Sequence, residues 1–275
     1  MRDSISLKSI EAVAIGAFDG MHLAHQELFK QLGDNGAIIV IDKGSASLTP
    51  GRFRCHYSSY PCCFLPLSKI RHLNAKGFVA LLKQKFKNLK KIVVGYDFAF
   101  GKDRRYSPKD LMELFDGEVV VVDEVKIDDI SVHSRIIKRL LKKGDIQMAN
   151  RLLGRYYTIE GKRVAGQGIG KKELVPTINL KIKDFLLPKE GVYATLTKVG
   201  DFVYKSVSFV GHRISTDGSF AVETHILEDF CEDERVEIAF VKFMRENQKF
   251  DSLQHLRERI IKDIEVAKVF LKDVK

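Results

Sequence analysis

Two hydrophobic patterns divide this chain near residue 155. In the first part, short apolar runs alternate with stretches of helical periodicity, which is typical of a parallel sheet with crossover helices. The predicted strands are residues 12–15, 37–41, 92–94 and 119–122, and the predicted helices are residues 22–32, 76–86, 108–115 and 134–143. Residues 45–61, rich in Ser, Tyr, Gly and Pro, are predicted to be an irregular loop.

The second part consists mainly of β-like segments. Strands are predicted at residues 156–164, 191–199, 202–210, 220–227 and 235–241, with a hairpin turn at 199–202. Residues 252–271 predict a closing amphipathic helix whose inward face carries Leu253, Leu256, Ile260, Ile264 and Ala267. We therefore expect an α/β domain at residues 1–153, ending in a connecting helix at 145–153, and an antiparallel sheet or barrel at 154–275.

Charge and cysteine content narrow the classes of protein. The 46 Lys and Arg residues exceed the 36 Asp and Glu residues, giving a net charge of +10, which suits nucleotides, nucleic acid or an anionic membrane. Nucleic-acid-binding signatures are absent, so nucleic acid is not expected as the main partner. No apolar run approaches bilayer length. The spacing of the four cysteines fits neither a disulfide framework nor a zinc site; they are Cys55, Cys62, Cys63 and Cys231. These features predict a cytoplasmic protein without a membrane partner.

A glycine turn with two histidines follows the first predicted strand. Residues 16–25 read GAFDGMHLAH, and the next helix is expected to begin near Met21. The free amides and positive dipole end of that helix would face a triphosphate, while His22 and His25 would donate to phosphate oxygens. The turn residues expected at the nucleotide are Gly16, Phe18, Asp19 and Gly20. Taken alone, the segment equally fits an Asp-Gly turn followed by two surface histidines.

A second buried strand ends in a similar loop. Residues 91–101 read KIVVGYDFAFG, which places Asp97 and Phe98 just after the strand. Ligands of open parallel sheets bind outside the carboxyl ends of the strands. The two loops are therefore expected to converge on one crevice.

A glycine-rich stretch and a polar strand form a second candidate site. Residues 164–172 read VAGQGIGKK, and Gly166, Gly168 and Gly170 would let backbone amides approach phosphate closely. The Walker pattern is absent, and a flexible β-turn is the alternative interpretation. Thr177 and Asn179 alternate along a predicted strand, so that their oxygen atoms share a face and match the ligands that Mg²⁺ prefers.

Glu223 lies in a segment of alternating character, FAVETHI at residues 220–226. It is expected to share a face with Ala221 and His225. A carboxylate near a hydroxyl group can accept its proton during phosphoryl transfer, which makes Glu223 a candidate catalytic base. The segment alone also fits a solvated strand glutamate.

Taken together, the first two loops resemble the GxFDGxHxGH and VGxDFxFG motifs of the bacterial bifunctional riboflavin kinase/FMN adenylyltransferase family. The resemblance continues through LLGRYYTIEG, PTINL, LLPKEGVYAT, AVETHIL and KFDSLQHLRERIIKDIEVA in the second half. It covers nearly the whole chain except about residues 43–67.

This resemblance implies a fold, two reactions and a set of site residues. The fold would be a Rossmann-like nucleotidyltransferase domain followed by a β-barrel riboflavin kinase domain with a closing helix. The barrel would phosphorylate riboflavin with Mg²⁺-ATP, and the first domain would transfer AMP from ATP to FMN, giving FAD and pyrophosphate. The implied kinase residues are Thr177 and Asn179 at the metal, Glu223 as base, and Arg245 and Phe250 at the flavin. The implied adenylyltransferase residues are His22, His25, Ser134 and Lys138 at ATP, and Asp97 and Phe98 at FMN.

Some positions depart from the family pattern. Lys138 replaces an expected arginine, which keeps the charge but loses the bidentate guanidinium fork. The segment at residues 43–67 is shortened, and Leu174 occupies a usual glycine position. A riboflavin kinase whose N-terminal domain is structural or weakly active therefore stays an alternative. More distant alternatives are a nucleotidyltransferase for another phosphate ester and a basic nucleic-acid-binding protein.

Overall fold

The structure is a computed structural model that describes residues 9–165, 175–215, 217–230 and 233–274. Contacts divide the chain into an N-terminal unit, Met1–Ser134, and a C-terminal unit, Arg135–Lys275. Residues 135–153, which the sequence analysis assigns to the first domain, cluster with the C-terminal unit. The functional border at residues 153/154 stays a prediction.

The N-terminal unit is built on a five-stranded parallel sheet with the strand order β3-β2-β1-β4-β5. Its strands are β1 (Ala12–Gly16), β2 (Gly36–Asp42), β3 (Cys62–Pro66), β4 (Lys91–Gly95) and β5 (Glu118–Val122), followed by a small hairpin of β6 (Lys126–Ile127) and β7 (Ile130–Ser131). Its helices are α1 (Leu23–Lys30), α2 (Leu67–Ile70), α3 (Ala75–Lys85) and α4 (Pro108–Leu114), with short 3₁₀ helices at Gly51–Tyr57 and Lys102–Arg104. The predicted α/β class is confirmed.

Apolar cores cover both faces of this sheet. Val13 and Ile15 of β1 pack with Phe78 of α3 on one face, whereas Ala14 packs with Phe29 of α1 on the other. Burial on both faces explains why these strands appear as continuous apolar runs rather than as alternating patterns. The loops after β1 and β4, which carry the predicted site residues, leave the sheet at its carboxyl edge because the two strands are parallel neighbours.

Strand β3 is an element that the hydrophobic pattern does not predict. It pairs with β2 from Cys62 to Pro66, and a 3₁₀ helix precedes it where the sequence predicts only loop. The run Cys-Cys-Phe-Leu-Pro is short and ends in proline, which is a weak strand signal. This segment forms a strand because it pairs with β2, not because its local sequence favours one.

The C-terminal unit is a closed six-stranded barrel in the order β10-β11-β12-β9-β8-β13. Its strands are β8 (Tyr157–Val164), β9 (Ile178–Ile182), β10 (Gly191–Val199), β11 (Phe202–His212), β12 (Phe220–Ile226) and β13 (Arg235–Arg245). The helices are α5 (Ser134–Lys143), α6 (Ile146–Leu153) and α7 (Leu253–Leu271). The predicted hairpin turn is confirmed, since Val199 pairs with Phe202 and Gly200 adopts a positive φ of 59°, which glycine tolerates.

Helix α7 closes the barrel along one side. Ile264, Ala267 and Leu271 pack with Val192 and Leu196 of β10. The prediction that Leu253 points inward is wrong: this side chain is 38% exposed, because the buried stripe of α7 begins one turn later, at the half-buried Leu256.

Five buried hydroxyl groups form a ring inside the barrel. They belong to Thr195, Thr197, Ser206, Ser208 and Thr224, all with no exposed surface. Thr195 bonds to Ser206 and Ser208 at 2.7 and 2.8 Å, and Thr197 bonds to Ser206 and Thr224 at 2.8 Å each. A bond of 3.0 Å from Ser208 to Thr224 closes the ring. Each hydroxyl thereby has two partners, which offsets the cost of burying it.

Replacing Thr197 by valine should destabilise the barrel. Valine keeps the shape but removes two hydrogen bonds and leaves the hydroxyls of Ser206 and Thr224 with one partner each, for an expected loss of about 1–3 kcal/mol. Urea unfolding of the full chain measures this loss. Thr158→Val is the matched control, because the half-buried Thr158 donates a local hydrogen bond to the Tyr156 carbonyl and takes no part in the ring. A loss equal to that of Thr197→Val would contradict the role of the ring.

Candidate active sites

The loop after β1 has a strained backbone that sets the start of α1. Phe18 and Met21 have positive φ angles of 52° and 45°, and Gly20 has 94°. Such conformations cost a non-glycine residue about 1–3 kcal/mol. Phe18 and Met21 are nearly fully buried, and their packing holds the loop in this shape. The turn ends at His22, the N-cap residue of α1.

His22 and His25 lie together at the N-terminus of α1. Their rings stack with centroids 3.5 Å apart and an interplanar angle of 18°, and the His25 ring meets the edge of Phe18 at 5.1 Å. His22 is 3% exposed, which excludes the interpretation of two surface histidines. The structure thus joins both imidazoles to the end of a helix that favours anions.

Asp19 and Gly20 bond to a neighbouring segment of the chain. The Asp19 carboxylate accepts hydrogen bonds from the backbone amides of Ser47, Leu48 and Thr49 at 3.2, 2.9 and 3.1 Å. The Gly20 amide donates to Thr49 Oγ1 at 2.7 Å. Asp19 therefore ties the histidine loop to residues 47–49, and its contact with a nucleotide stays a prediction.

Two further predicted nucleotide residues follow on α5. Ser134 Oγ donates to the Asp19 carbonyl at 2.6 Å, which places this hydroxyl beside the histidine loop. Lys138 lies one turn further along α5 and belongs to the C-terminal unit.

Arg54 is a buried cation that sequence reasoning missed. Its side chain is 2% exposed, and its guanidinium donates to the Ala17 carbonyl at 2.9 Å and to Asp42 Oδ1 at 2.9 Å. The hydrogen bond from Arg54 lowers the pKa of the Asp42 carboxyl. Ala17 directly follows β1, and Asp42 is the last residue of β2. Arg54 therefore links the ends of two neighbouring strands at the carboxyl edge of the sheet.

The loop after β4 separates the two residues predicted at FMN. Asp97 is exposed at the strand end, whereas Phe98 packs against the core and stacks on Phe100 with centroids 5.6 Å apart. The neighbouring Tyr96 hydroxyl lies 3.1 Å from His133 Nε2. Partial burial and the carboxylates of Glu124 and Asp97 raise the pKa of Tyr96.

On the barrel, Glu223 and Asn179 face each other across paired strands. They are directly opposite in the antiparallel register of β12 and β9, and because Val222 and Thr224 are buried inside the barrel, Glu223 lies on its outer face. Thr177 is half-buried and comes just before β9, where alternation gives it the same face as Asn179. Gly166, Gly168 and Gly170 lie outside the described residues.

Arg213 joins the two groups of this barrel site, and sequence reasoning gave it no role. Its Nε donates to Glu223 Oε1 at 2.7 Å, while the rest of the guanidinium donates to Asn179 Oδ1 at 2.5 Å and to Ser219 Oγ at 2.8 Å. The side chains of Arg213 and Glu223 are each 20% exposed. Such a charge-assisted fork fixes both oxygen atoms in one geometry.

Arg245, predicted at the flavin, is held by helix α7. Its guanidinium makes bonds of 2.6–3.0 Å to the carboxylate of Asp263, and that carboxylate is 5% exposed. The Phe250 ring lies 5.9 Å from the Arg245 guanidinium, and the Phe250 amide donates to Ser215 Oγ at 2.9 Å. Arg245 therefore anchors the closing helix, and the flavin contacts of both residues stay predictions.

The two clusters, one on each unit, are typical of a two-domain transferase. Models of two families match the chain: riboflavin kinase at residues 153–271 and FAD synthetase at residues 62–136. The chain is also similar to the bifunctional riboflavin kinase/FMN adenylyltransferases of Listeria monocytogenes, with 28% identity over 94% of this chain and 92% of that protein, and of Escherichia coli K12, with 25% identity over 94% and 92%. The chain belongs to the bifunctional riboflavin kinase/FMN adenylyltransferase family.

A solved structure shares this architecture over both units. It is described as a macrolide-efflux protein from Streptococcus pneumoniae, with a TM-score of 0.82 and 28% identity over 96% of each chain. Within the described residues of the present chain, no helix has the length and apolar character needed to cross a membrane.

Proposed function

We propose that this chain phosphorylates riboflavin to FMN and then adenylylates FMN to FAD, with ATP as the second substrate of both reactions. The observation that carries this proposal is the presence of two separate clusters in one chain. The stacked His22 and His25 lie at a helix N-terminus in one unit, and Glu223 and Asn179 lie side by side in the other. Matches to a riboflavin kinase model and an FAD synthetase model support it.

In the kinase reaction, Glu223 acts as general base. It accepts the proton of the 5′-hydroxyl of riboflavin as that oxygen attacks the γ-phosphorus of ATP. Arg213 holds the carboxylate by a 2.7 Å hydrogen bond. Because Arg213 also keeps this carboxylate beside Asn179, it positions the base rather than contacting the reacting atoms.

The oxygen atoms beside Glu223 fit a magnesium ion. Thr177 offers a hydroxyl and Asn179 an amide oxygen, and Mg²⁺ prefers oxygen ligands and usually shares them with phosphates and water. The Asn179 oxygen accepts one hydrogen bond from Arg213 and keeps a second lone pair. We propose that Thr177 and Asn179 hold Mg²⁺, which when bound neutralises charge on the ATP phosphates.

In the adenylyl transfer, the phosphate of FMN attacks the α-phosphorus of ATP and pyrophosphate leaves. His22 and His25 donate hydrogen bonds to phosphate oxygens as charge builds up on them, and the N-terminus of α1 adds its dipole. Ser134 binds the same ATP, and Asp97 lies at FMN. Neither reaction needs a covalent enzyme intermediate, so positioning and charge neutralisation supply the rate.

The setting of these reactions follows from the substrates. We propose that the chain acts in the cytoplasm, where thiols such as those of Cys55 and Cys62 stay reduced. Its partners are then small molecules, namely riboflavin, FMN and ATP, without nucleic acid or membrane.

One assay tests the proposal. Purified full-length protein incubated with riboflavin, ATP and Mg²⁺ should form FMN first and FAD later, as resolved by chromatography over time. If FMN accumulates and no FAD forms, even when FMN is supplied directly, the chain is a riboflavin kinase with a structural N-terminal unit. Duplex binding that weakens steeply with salt, without any flavin turnover, would instead indicate a nucleic-acid-binding protein.

A further inference from the structure

The chain segment at residues 47–54 is bonded to the backbone of the histidine loop at two positions. The amide of Gly20 donates a hydrogen bond to Thr49 Oγ1 at 2.7 Å. The guanidinium of Arg54 donates one to the carbonyl of Ala17 at 2.9 Å. One stretch of chain therefore holds the loop both where it leaves β1 and just before α1 begins.

Both side chains that make these contacts are buried. Thr49 is 1% exposed and Arg54 is 2% exposed. Arg54 also donates to Asp42 Oδ1 at 2.9 Å and to the Gly51 carbonyl at 3.2 Å. Hydrogen bonds are electrostatically stronger away from water, and a planar guanidinium that serves several acceptors fixes their relative positions. Arg54 thus holds the Ala17 carbonyl at a set distance from the end of β2.

The histidine loop needs such support because its backbone is strained. Phe18 and Met21 have positive φ angles of 52° and 45°, and such conformations persist only where the surrounding structure over-determines them. The two bonded backbone groups lie directly beside the strain, since Ala17 precedes Phe18 and Gly20 precedes Met21. His22, the N-cap residue of α1, follows at once, so that a shift of the loop also moves this imidazole.

We propose that Thr49 and Arg54 are positioning residues for adenylyl transfer, because they hold the loop that leads to His22 and His25; this role rests on the proposed function. Both residues act through the loop and not by contact with a substrate. Donors to developing charge act mainly in the transition state, so a displaced loop lowers kcat more than it raises KM. A displacement of about 1 Å can cost about 10²-fold in rate.

The variant Arg54→Lys tests the guanidinium. Lysine keeps the charge but lacks the planar fork that serves the Ala17 carbonyl and Asp42 together. We expect kcat for adenylylation of supplied FMN to fall about 10²-fold, with a much smaller change in KM for ATP and unchanged riboflavin phosphorylation.

Arg52→Lys is the matched control for Arg54→Lys. The exposed Arg52 lies in the same 3₁₀ helix, and both guanidinium groups sit over the Phe64 ring, at 5.9 and 5.4 Å from its centroid. Arg52→Lys should keep the wild-type kcat. A wild-type kcat in Arg54→Lys, or an equal loss in Arg52→Lys, overturns the proposal.

Thr49→Val and Thr49→Ser form a second matched pair that leaves every charge in place. Valine keeps the shape of the side chain but offers no oxygen to the Gly20 amide, whereas serine restores that oxygen. We expect Thr49→Val to lower kcat for adenylylation about tenfold, as for the loss of one buried hydrogen bond, and Thr49→Ser to recover most of the wild-type rate. Equal rates in the two variants contradict a role of the hydroxyl oxygen.

A spectroscopic measurement keeps the test independent of turnover. The NMR signals of the His22 and His25 imidazoles, assigned by replacing each histidine with alanine, should shift in Arg54→Lys and in Thr49→Val and stay unchanged in Arg52→Lys. Unchanged imidazole signals in Arg54→Lys and Thr49→Val overturn the proposal even if the rates fall. A wild-type chain that makes no FAD refutes the proposed function, whereas shifted imidazole signals would still show that the segment positions the loop.

Discussion

Replacing Glu223 by glutamine should lower kcat for riboflavin phosphorylation by about 10²–10⁴-fold, the usual contribution of a general base. Glutamine keeps the size of the side chain and an oxygen that can accept the bond from Arg213, but it cannot take up the hydroxyl proton. KM for riboflavin should therefore change little. Initial rates of FMN formation at several riboflavin concentrations measure both constants.

Two controls accompany Glu223→Gln. Glu237→Gln is a matched variant, since Glu237 is also a barrel strand glutamate with a cationic partner, Lys198 at 3.7 Å, and it should keep the wild-type kcat. Adenylylation of supplied FMN by Glu223→Gln should also be unchanged. A wild-type kcat in Glu223→Gln would show that Glu223 is not the general base. An equal loss of both activities would indicate general unfolding rather than loss of a base.

Replacing His22 by alanine should lower FAD formation from supplied FMN by about 10²–10³-fold, as expected when one donor to the developing phosphate charge is lost. FMN formation from riboflavin should continue, because its residues lie in the other unit. The measurement is the production of FMN and FAD by the same preparation over time. Loss of both products would contradict separate sites.

His72→Ala serves as the control for His22→Ala. His72 is an exposed histidine in the same unit, and its removal should leave both activities at the wild-type level. Because His22 is buried and its replacement also removes a packed ring, thermal unfolding of both variants should be compared. An inactive His22→Ala chain that still shows the wild-type unfolding transition separates the loss of a phosphate donor from loss of fold.

Most of the fold was predictable because its elements carry local patterns. Strands β1, β2, β4 and β5 are buried on both faces and show up as apolar runs, and the barrel strands show alternation and turns. Strand β3 has neither signal, because its order comes from pairing with β2. Likewise, apolar periodicity in α7 does not reveal that Asp263 is buried on its inner face, since the stabilising partner Arg245 lies 18 residues away in sequence.

In the candidate sites, only the residues that lie within short sequence motifs were predictable. His22, His25, Asn179 and Glu223 stand within short segments, and the structure brings each pair together. Arg213 is separated from Asn179 by 34 positions, and Arg54 from Ala17 by 37, so no local spacing connects them to the sites. Both arginines bind oxygen atoms that only the assembled sheet or barrel brings within reach.

The ring of buried hydroxyls gives the barrel a polar centre in which all the hydrogen bonds run in one direction around the ring. Since Ser208 donates to Thr224, and each hydroxyl has a single proton, the donors follow one another in the same sense around the circle: Thr224 to Thr197, Thr197 to Ser206, Ser206 to Thr195 and Thr195 back to Ser208. Dipoles arranged head to tail in this way strengthen one another. None of the five groups gains or loses charge in the ordinary range of acidity. This part of the barrel interior therefore keeps its bonds in acid, where carboxylates become protonated and salt bridges are lost.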